Sequence, residues 1–260
     1  MLRGSAGTIV GIQRPWARLA LGTPAAPWSP TDLGSKLGDW LTADRSDLIT
    51  LSGSQVTSWA GTQGVVTVTQ STGGLRPLYS ATGWNSVAPA VTADGTDDYL
   101  EMAGIPASLQ GNGSFEYWAL VDQQTAAASA GTTNLFSLGN TFQFTRTINR
   151  AQVAGANTFR SAQGNGASAP TSDAPGDFSG RHVARGIFTA TTVEADLDAV
   201  AGTPAASNAN IATNRLRLFA SSASSPSQYF KGPLRDLILV IGSLTAGEVA
   251  QMYAFLNGKL

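Results

Sequence analysis

The sequence predicts an all-β sandwich closed by a single C-terminal helix, and three observations carry that reading. Hydrophobic residues make up 42% of the 260 residues, enough to fill a core, whereas charged residues are only 13%, about half the usual share. The strong helix formers Glu and Lys are therefore scarce, which suits strands better than long helices. The 29 glycines and 12 prolines fall between short β-branched and aromatic runs, the punctuation of a sandwich or barrel. One late segment alone keeps a helical period.

Taken in order, Ser29-Pro30-Thr31-Asp32 reads as a helix start, with Ser29 as N-cap and Pro30 at the first helical position. Gly34 and Gly38 keep that helix short. Strands are expected at 47–51, 55–59, 65–69, 87–92, 99–102, 114–121, 134–138 and 141–148. In 55–59, simple alternation sends Val56 and Ser58 to one face and Thr57 and Trp59 to the other. Asp94-Gly95 marks a turn. A hairpin is expected from 182–188 and 192–197, followed by strands at 216–220 and 234–241. The small-residue stretches 123–133, 161–180 and 221–228 read as loops. Thr245 and Glu248 form a capping box. Val249, Met252, Tyr253 and Leu256 then follow at i, i+3, i+4 and i+7, and Gly258 ends the helix.

The charge balance narrows the function. A formal net charge of -1 offers no basic excess to neutralise a phosphate backbone, so nucleic acid is not an expected partner. There is no cysteine, hence no disulfide and no thiolate metal site. The apolar stretch 8–21 is interrupted by Arg14, Pro15 and Arg18, so no signal peptide is expected. The run 237–241 is too short to span a bilayer, so no membrane insertion is expected.

Residues 1–30 differ from the rest. They hold Arg3, Arg14 and Arg18 with no acidic residue, and Pro15, Pro24, Pro27 and Pro30 forbid long regular structure. Trp16 and Trp28 are large apolar groups in a segment that cannot fold alone. Two readings follow: the segment packs on its own domain, or it is an anchoring arm, through Arg14, Trp16, Arg18 and Trp28, inserted into a neighbouring subunit. The expected division is an arm at 1–30 and one domain at 31–260.

Several blocks, in order, resemble a known family. They are Leu37-Gly-Asp-Trp-Leu-Thr-Ala-Asp44 with Val56-Thr-Ser-Trp59, then Arg76-Pro-Leu-Tyr79, Asp94-Gly-Thr-Asp-Asp-Tyr-Leu100 and Arg181-His-Val-Ala184, and finally the closing strand, turn and helix from Leu234 to Lys259. This order resembles the laminin-G-like, concanavalin-A-like jelly rolls of phage and bacterial surface proteins. One departure is Ala199 after Asp198, where the family hairpin commonly has Asp-Gly. The resemblance implies a concanavalin-A-like jelly-roll β-sandwich with a short C-terminal helix and an extended N-terminal arm. Its bearing on function is looser, because jelly rolls host lectins, hydrolases and structural modules.

Four sets of residues could carry chemistry. Asp94, Asp97 and Asp98 are the densest acidic cluster and read either as a calcium site, which some laminin-G-like domains hold, or as a turn whose side chains bond local backbone. Glu194, Asp196 and Asp198 alternate and so share a strand face. They read as a glucanase-like carboxylate set or as an acidic solvated face, with Val193, Ala195 and Leu197 turned to the core. His182 is the only histidine and is expected to be a strand residue. Trp84, beside Asn85 in an expected loop, is the candidate for stacking on a sugar, whereas Trp118 is expected in the core.

These readings combine into one expectation: a non-catalytic, multi-copy structural component on the surface of a phage or phage-like particle. The arm would hold other virion proteins, and the lectin-like domain would contact host glycans, with no cofactor other than calcium. The alternative is a bacterial carbohydrate-active protein, either a glycoside hydrolase or a carbohydrate-binding module.

Overall fold

The computed structural model describes residues 27–111, 113–124, 132–139, 145–153, 156–164, 169–207, 215–221, 223 and 225–260. Arg14, Trp16 and Arg18 lie outside the described residues. The strands are β1 (Leu37–Thr42), β2 (Ile49–Ser52), β3 (Gln55–Ala60), β4 (Thr67–Thr69), β5 (Leu78–Trp84) and β6 (Ala88–Asp94). There follow β7 (Leu100–Ala103), β8 (Phe115–Gln123), β9 (Thr133–Gly139), β10 (Thr145–Val153), β11 (Ala156–Gln163) and β12 (Thr171–Asp173). The last are β13 (Gly180–Phe188), β14 (Thr192–Leu197), β15 (Val200–Ala201), β16 (Ala205–Ala206), β17 (Arg215–Leu218) and β18 (Lys231–Ile241), and the chain closes with helix α1 (Ala246–Asn257).

Hydrogen bonding arranges the strands in two antiparallel layers. One runs β1–β18–β8–β13–β14, with β15 and β16 along β14 and with β6 and β5 continuing from the first part of β18. The other runs β2–β3–β4–β7–β17–β9–β10–β11–β12. A single pairing, Gln55 opposite Leu78, joins β3 to β5. The sandwich follows from alternation. In β18, Leu234, Leu237 and Leu239 enter the core between the layers, while Ile238 and Val240 join a second cluster on the outer face. That cluster is capped by Met252, Tyr253 and Leu256 of α1, so the first layer is buried on both sides. The all-β sandwich with one short C-terminal helix is as the sequence predicts. Among the described residues, no helix is long and apolar enough to cross a membrane.

Local chemistry explains both agreements and differences. The Thr245 backbone N–H donates to Glu248 Oε2 at 2.7 Å and the Glu248 N–H to Thr245 Oγ1 at 3.3 Å, the expected capping box. The expected first helix is a 3₁₀ stretch over Pro30–Lys36, interrupted at Gly34 with φ 57°. In β3, Val56 and Trp59 are both fully buried, contrary to simple alternation. The cause is a bulge in the pairing of β2 with β3, between Thr50 and Leu51, which changes the register of the faces. The expected loop at 161–180 contains β12 and the end of β11; its small side chains hid strands that close the second layer. Trp84 ends a strand that the sequence left as loop.

Candidate functional site

The outer face of the second layer carries a row of polar side chains set by register. Thr69 lies opposite Glu101, Glu101 opposite Arg217, and Arg217 opposite Ser137. The cause is plain alternation. In β7, Leu100 is buried in the core and Met102 packs against it, so Tyr99, Glu101 and Ala103 face outward. In β17, Leu216 and Leu218 are in the core, so Arg215 and Arg217 face outward. The Arg217 guanidinium is almost fully buried, lies 4.9 Å from the Tyr99 ring centroid, and grips Glu101 Oε2 through Nε at 2.9 Å and through Nη2. It also donates to the carbonyls of Ser221 and Ala223, which brings the segment after β17 over this face.

A groove of about 230 Å³ opens on this face, lined by Thr69, Gln70, Ser71, Tyr99, Glu101 and Ala103. Gln70 and Ser71 are held in place by Arg76, which donates to both their carbonyls. Among the described residues Glu101 Oε1 accepts no hydrogen bond, so it remains able to accept one from a ligand. The lining offers hydroxyls, an amide, one fixed carboxylate and an aromatic ring, which is chemistry suited to a polyhydroxylated ligand. None of these residues stands out as a site in the sequence. Their signal was the alternation Tyr99-Leu-Glu-Met102 and Arg215-Leu-Arg-Leu218, which places the polar residues of each run on one face.

The residues that the sequence did single out fall elsewhere. Trp84 is not available to a sugar: it is buried at 1% exposure under α1, and its indole N–H donates to the Lys259 carbonyl at 3.0 Å. Asn85 and Ser86, with φ of 54° and 60°, are the central residues of the turn closed by the Val87 N–H on the Trp84 carbonyl, which leads from β5 to β6, a left-handed conformation that Asn tolerates. Trp28 packs edge-on against Phe255 at 6.1 Å between centroids, on its own domain rather than reaching out of it.

Asp94, Asp97 and Asp98 do converge, with carboxylate oxygens within 4.8 Å of one another. Asp94 Oδ1 accepts from the N–H groups of Thr96 and Asp97, and Asp98 Oδ2 accepts from that of Asp94. Burial first, then the neighbouring Asp94 and Asp97, raises the Asp98 pKa to about 6. Two of the three carboxylates are thus engaged by their own turn, and the calcium expectation has no support beyond this proximity.

Glu194 and Asp196 share the outer face of β14, opposite Val193, Ala195 and Leu197 in the core, as alternation predicts, while Asp198 lies in the turn just past the strand. The face is not solvated throughout, however. Asp196 is buried and pairs with Arg185 at 2.9 Å. Arg185 also pairs with the buried Glu116 at 3.0 Å and lies 4.8 Å from the Trp118 ring centroid. Burial raises the pKa of both Glu194 and Asp196. Asp198, in a turn with φ 50°, binds His182 Nδ1 at 2.7 Å. Burial works against a charged His182, yet Asp198 and the Ser179 carbonyl raise its pKa overall. The set is therefore divided between Arg185 and His182 and does not line a common cleft.

No family model matches the chain, and no curated protein matches its sequence. Solved structures do. Domain 4 of AbnA, a GH43 extracellular arabinanase from Geobacillus stearothermophilus, in complex with arabinotriose, is 16% identical with a TM-score of 0.55, over 84% of this chain and 98% of that domain. A GH54 α-L-arabinofuranosidase is 11% identical with a TM-score of 0.63, over 88% of this chain and 65% of that one. A Trypanosoma rangeli sialidase is 12% identical with a TM-score of 0.57, over 89% of this chain and 36% of that one. The chain thus spans nearly all of the arabinanase domain but less than two thirds of the two larger enzymes.

At these identities the likeness establishes the jelly-roll, concanavalin-like fold. It also corrects the expectation of a chain that is not an enzyme, because the fold is shared with glycoside hydrolase and sialidase chains. The expected ties to phage particles and to laminin-G domains find no support among these structures.

Proposed function

We propose that this chain is a carbohydrate-active protein that holds a neutral glycan in the groove formed by Thr69, Gln70, Ser71, Tyr99, Glu101 and Ala103. The observation that carries the reading is the groove itself, where a carboxylate fixed by Arg217 and an aromatic ring stand beside hydroxyl and amide groups. The Glu101 oxygen that Arg217 leaves open accepts from a sugar hydroxyl, and a tyrosine ring offers its face to the apolar side of a pyranose or furanose. The arabinotriose complex of the similar arabinanase domain makes arabino-oligosaccharides the first ligands to try. Of the surface-display expectation, only the glycan-binding half enters this reading.

Isothermal titration with arabinotriose and a panel of neutral oligosaccharides tests it. Binding by the native chain should weaken at least tenfold in Tyr99→Ala, with the fold retained by circular dichroism. The same mixtures, assayed for new reducing ends, show whether binding leads to hydrolysis. Unchanged affinity in Tyr99→Ala, or no binding across the panel, removes the groove from consideration.

A further inference from the structure

The core between the layers holds a charge that the fold leaves unpaired. Arg146, near the start of β10, lies opposite Leu138 of β9 and Gln163 of β11 and is only 1% exposed. Its guanidinium carbon is 5.5 Å from the ring centroid of Phe188, in the facing layer. Other well-buried cations here have carboxylates: Arg217 has Glu101, Arg185 has Glu116 and Asp196, and Lys259 has Asp44 and Asp236. Among the described residues Arg146 has only neutral acceptors, Gln163 Oε1 for Nε at 3.1 Å and the Gly113 carbonyl for Nη2 at 2.9 Å. Among the described residues Nη1 makes no hydrogen bond. Burial alone lowers its pKa, to about 10, with no charge of either sign contributing, so the side chain is still a cation at neutral pH.

A buried cation without a counter-charge is costly, and a ligand anion would supply the counter-charge that the fold lacks. We propose that Arg146 anchors a site between the layers for the carboxylate of a monocarboxylate ligand. This site is separate from the outer groove. Nη1 keeps both its N–H groups, and a guanidinium offers a carboxylate the fork that it fits with two parallel bonds. A single isolated cation matches a single negative charge; a phosphate would call for a second cation, and none acts on Arg146. The acceptor partner is itself fixed, because Gln163 Nε2 donates to the Thr189 carbonyl at 3.2 Å. Two residues back on the same face of β11, Ser161 bonds the buried Tyr117 hydroxyl at 3.3 Å, so polar groups continue inward from the charge.

The test is thermal unfolding of the full chain in glucuronate, acetate, glucose or chloride at matched ionic strength. Either carboxylate should raise the melting temperature by about 3–5 °C at saturation, and glucose and chloride should not. A shift with glucuronate alone identifies an acidic sugar, and equal shifts identify a simple carboxylate. Arg146→Met should abolish the shift while leaving the ligand-free protein at least as stable, because an apolar chain replaces an uncompensated charge. Arg146→Lys, which keeps the charge but loses the fork, should retain a reduced shift, and it serves if the Met variant does not fold. No shift with either carboxylate, or an undiminished shift in Arg146→Met, overturns the proposal.

Discussion

Asp39 shows how much one buried side chain can organise. It is fully buried, and its two oxygens accept from the backbone N–H groups of Trp40, Gln63, Val65 and Val66 at 2.6–2.9 Å. A Cβ at Gly61 would collide with this carboxylate, so the turn wraps it without space to spare. Asp39→Ala leaves four N–H groups without their acceptor, and a loss of about 3–5 kcal/mol is expected by urea unfolding; a loss below about 1 kcal/mol would show that water replaces the carboxylate. The block around Asp39 was legible as an opening strand. Three of its four partners were not, because Gln63, Val65 and Val66 lie more than twenty residues further along the chain. Asp98 makes a second prediction, with the opposite sign. Its folded pKa of about 6 exceeds the ordinary carboxylate value, so the folded state holds the proton more tightly and stability falls as pH rises from about 4 to 6. Asp98→Asn keeps an acceptor for the Asp94 N–H and removes the charge. It should stabilise the protein by about 1–3 kcal/mol at pH 7 and remove most of the difference in urea midpoint between pH 4 and pH 7; an unchanged pH profile would locate the titration elsewhere.

Among the elements, α1 was the most legible, because its cap, apolar stripe and terminating glycine all lie within one contiguous segment. Thr245→Ala removes the cap that receives the Glu248 N–H and should cost about 1 kcal/mol, read as a lower urea midpoint with an unchanged slope. Glu248 adds a pH dependence with a definite sign. The Lys36 ammonium, together with the Thr245 backbone and hydroxyl groups, lowers its pKa to about 2. The stabilisation is therefore present above the ordinary carboxylate value and is lost as pH falls toward 2, and Glu248→Gln should flatten that acid limb. Strands were legible where alternation was unbroken, as in β14, whose outward carboxylates and inward apolar residues were both predicted. They were not legible where a bulge intervened, as in β3, because the extra residue, Thr57, shows only in the pairing with β2. The candidate groove falls between these cases. The faces of β7 and β17 could be read singly, but nothing in either segment says that Glu101 meets Arg217.

At the scale of the whole molecule, the first layer is a middle slab with the second layer on one side and α1 on the other, so the helix is a wall of the fold rather than an appendage. Beneath it lie Trp84, Trp118, Ile238 and Val240, and Trp118 meets Tyr253 edge-on at 4.8 Å between centroids. The chain end is tied in as well: Lys259 Nζ reaches Asp44 at 2.7 Å and Asp236 at 2.8 Å, its carbonyl accepts from the Trp84 indole and from Arg235, and the Leu244 N–H donates to the buried Glu116. Removing residues 243–260 would therefore uncover two tryptophans and leave Asp236 and Glu116 without these partners at the same time. Such a chain should not yield a soluble, cooperatively melting domain. It should partition into the insoluble fraction or bind a hydrophobic dye while its far-ultraviolet β signal persists, since the core between the layers does not include α1. A truncated chain that stays monomeric and melts as sharply as the intact one would mean that the inter-layer core alone sustains the sandwich. The sequence predicts an apolar stripe facing the sandwich; that two tryptophans and a buried carboxylate wait beneath it depends on strands brought together from opposite halves of the chain, information that no local pattern contains.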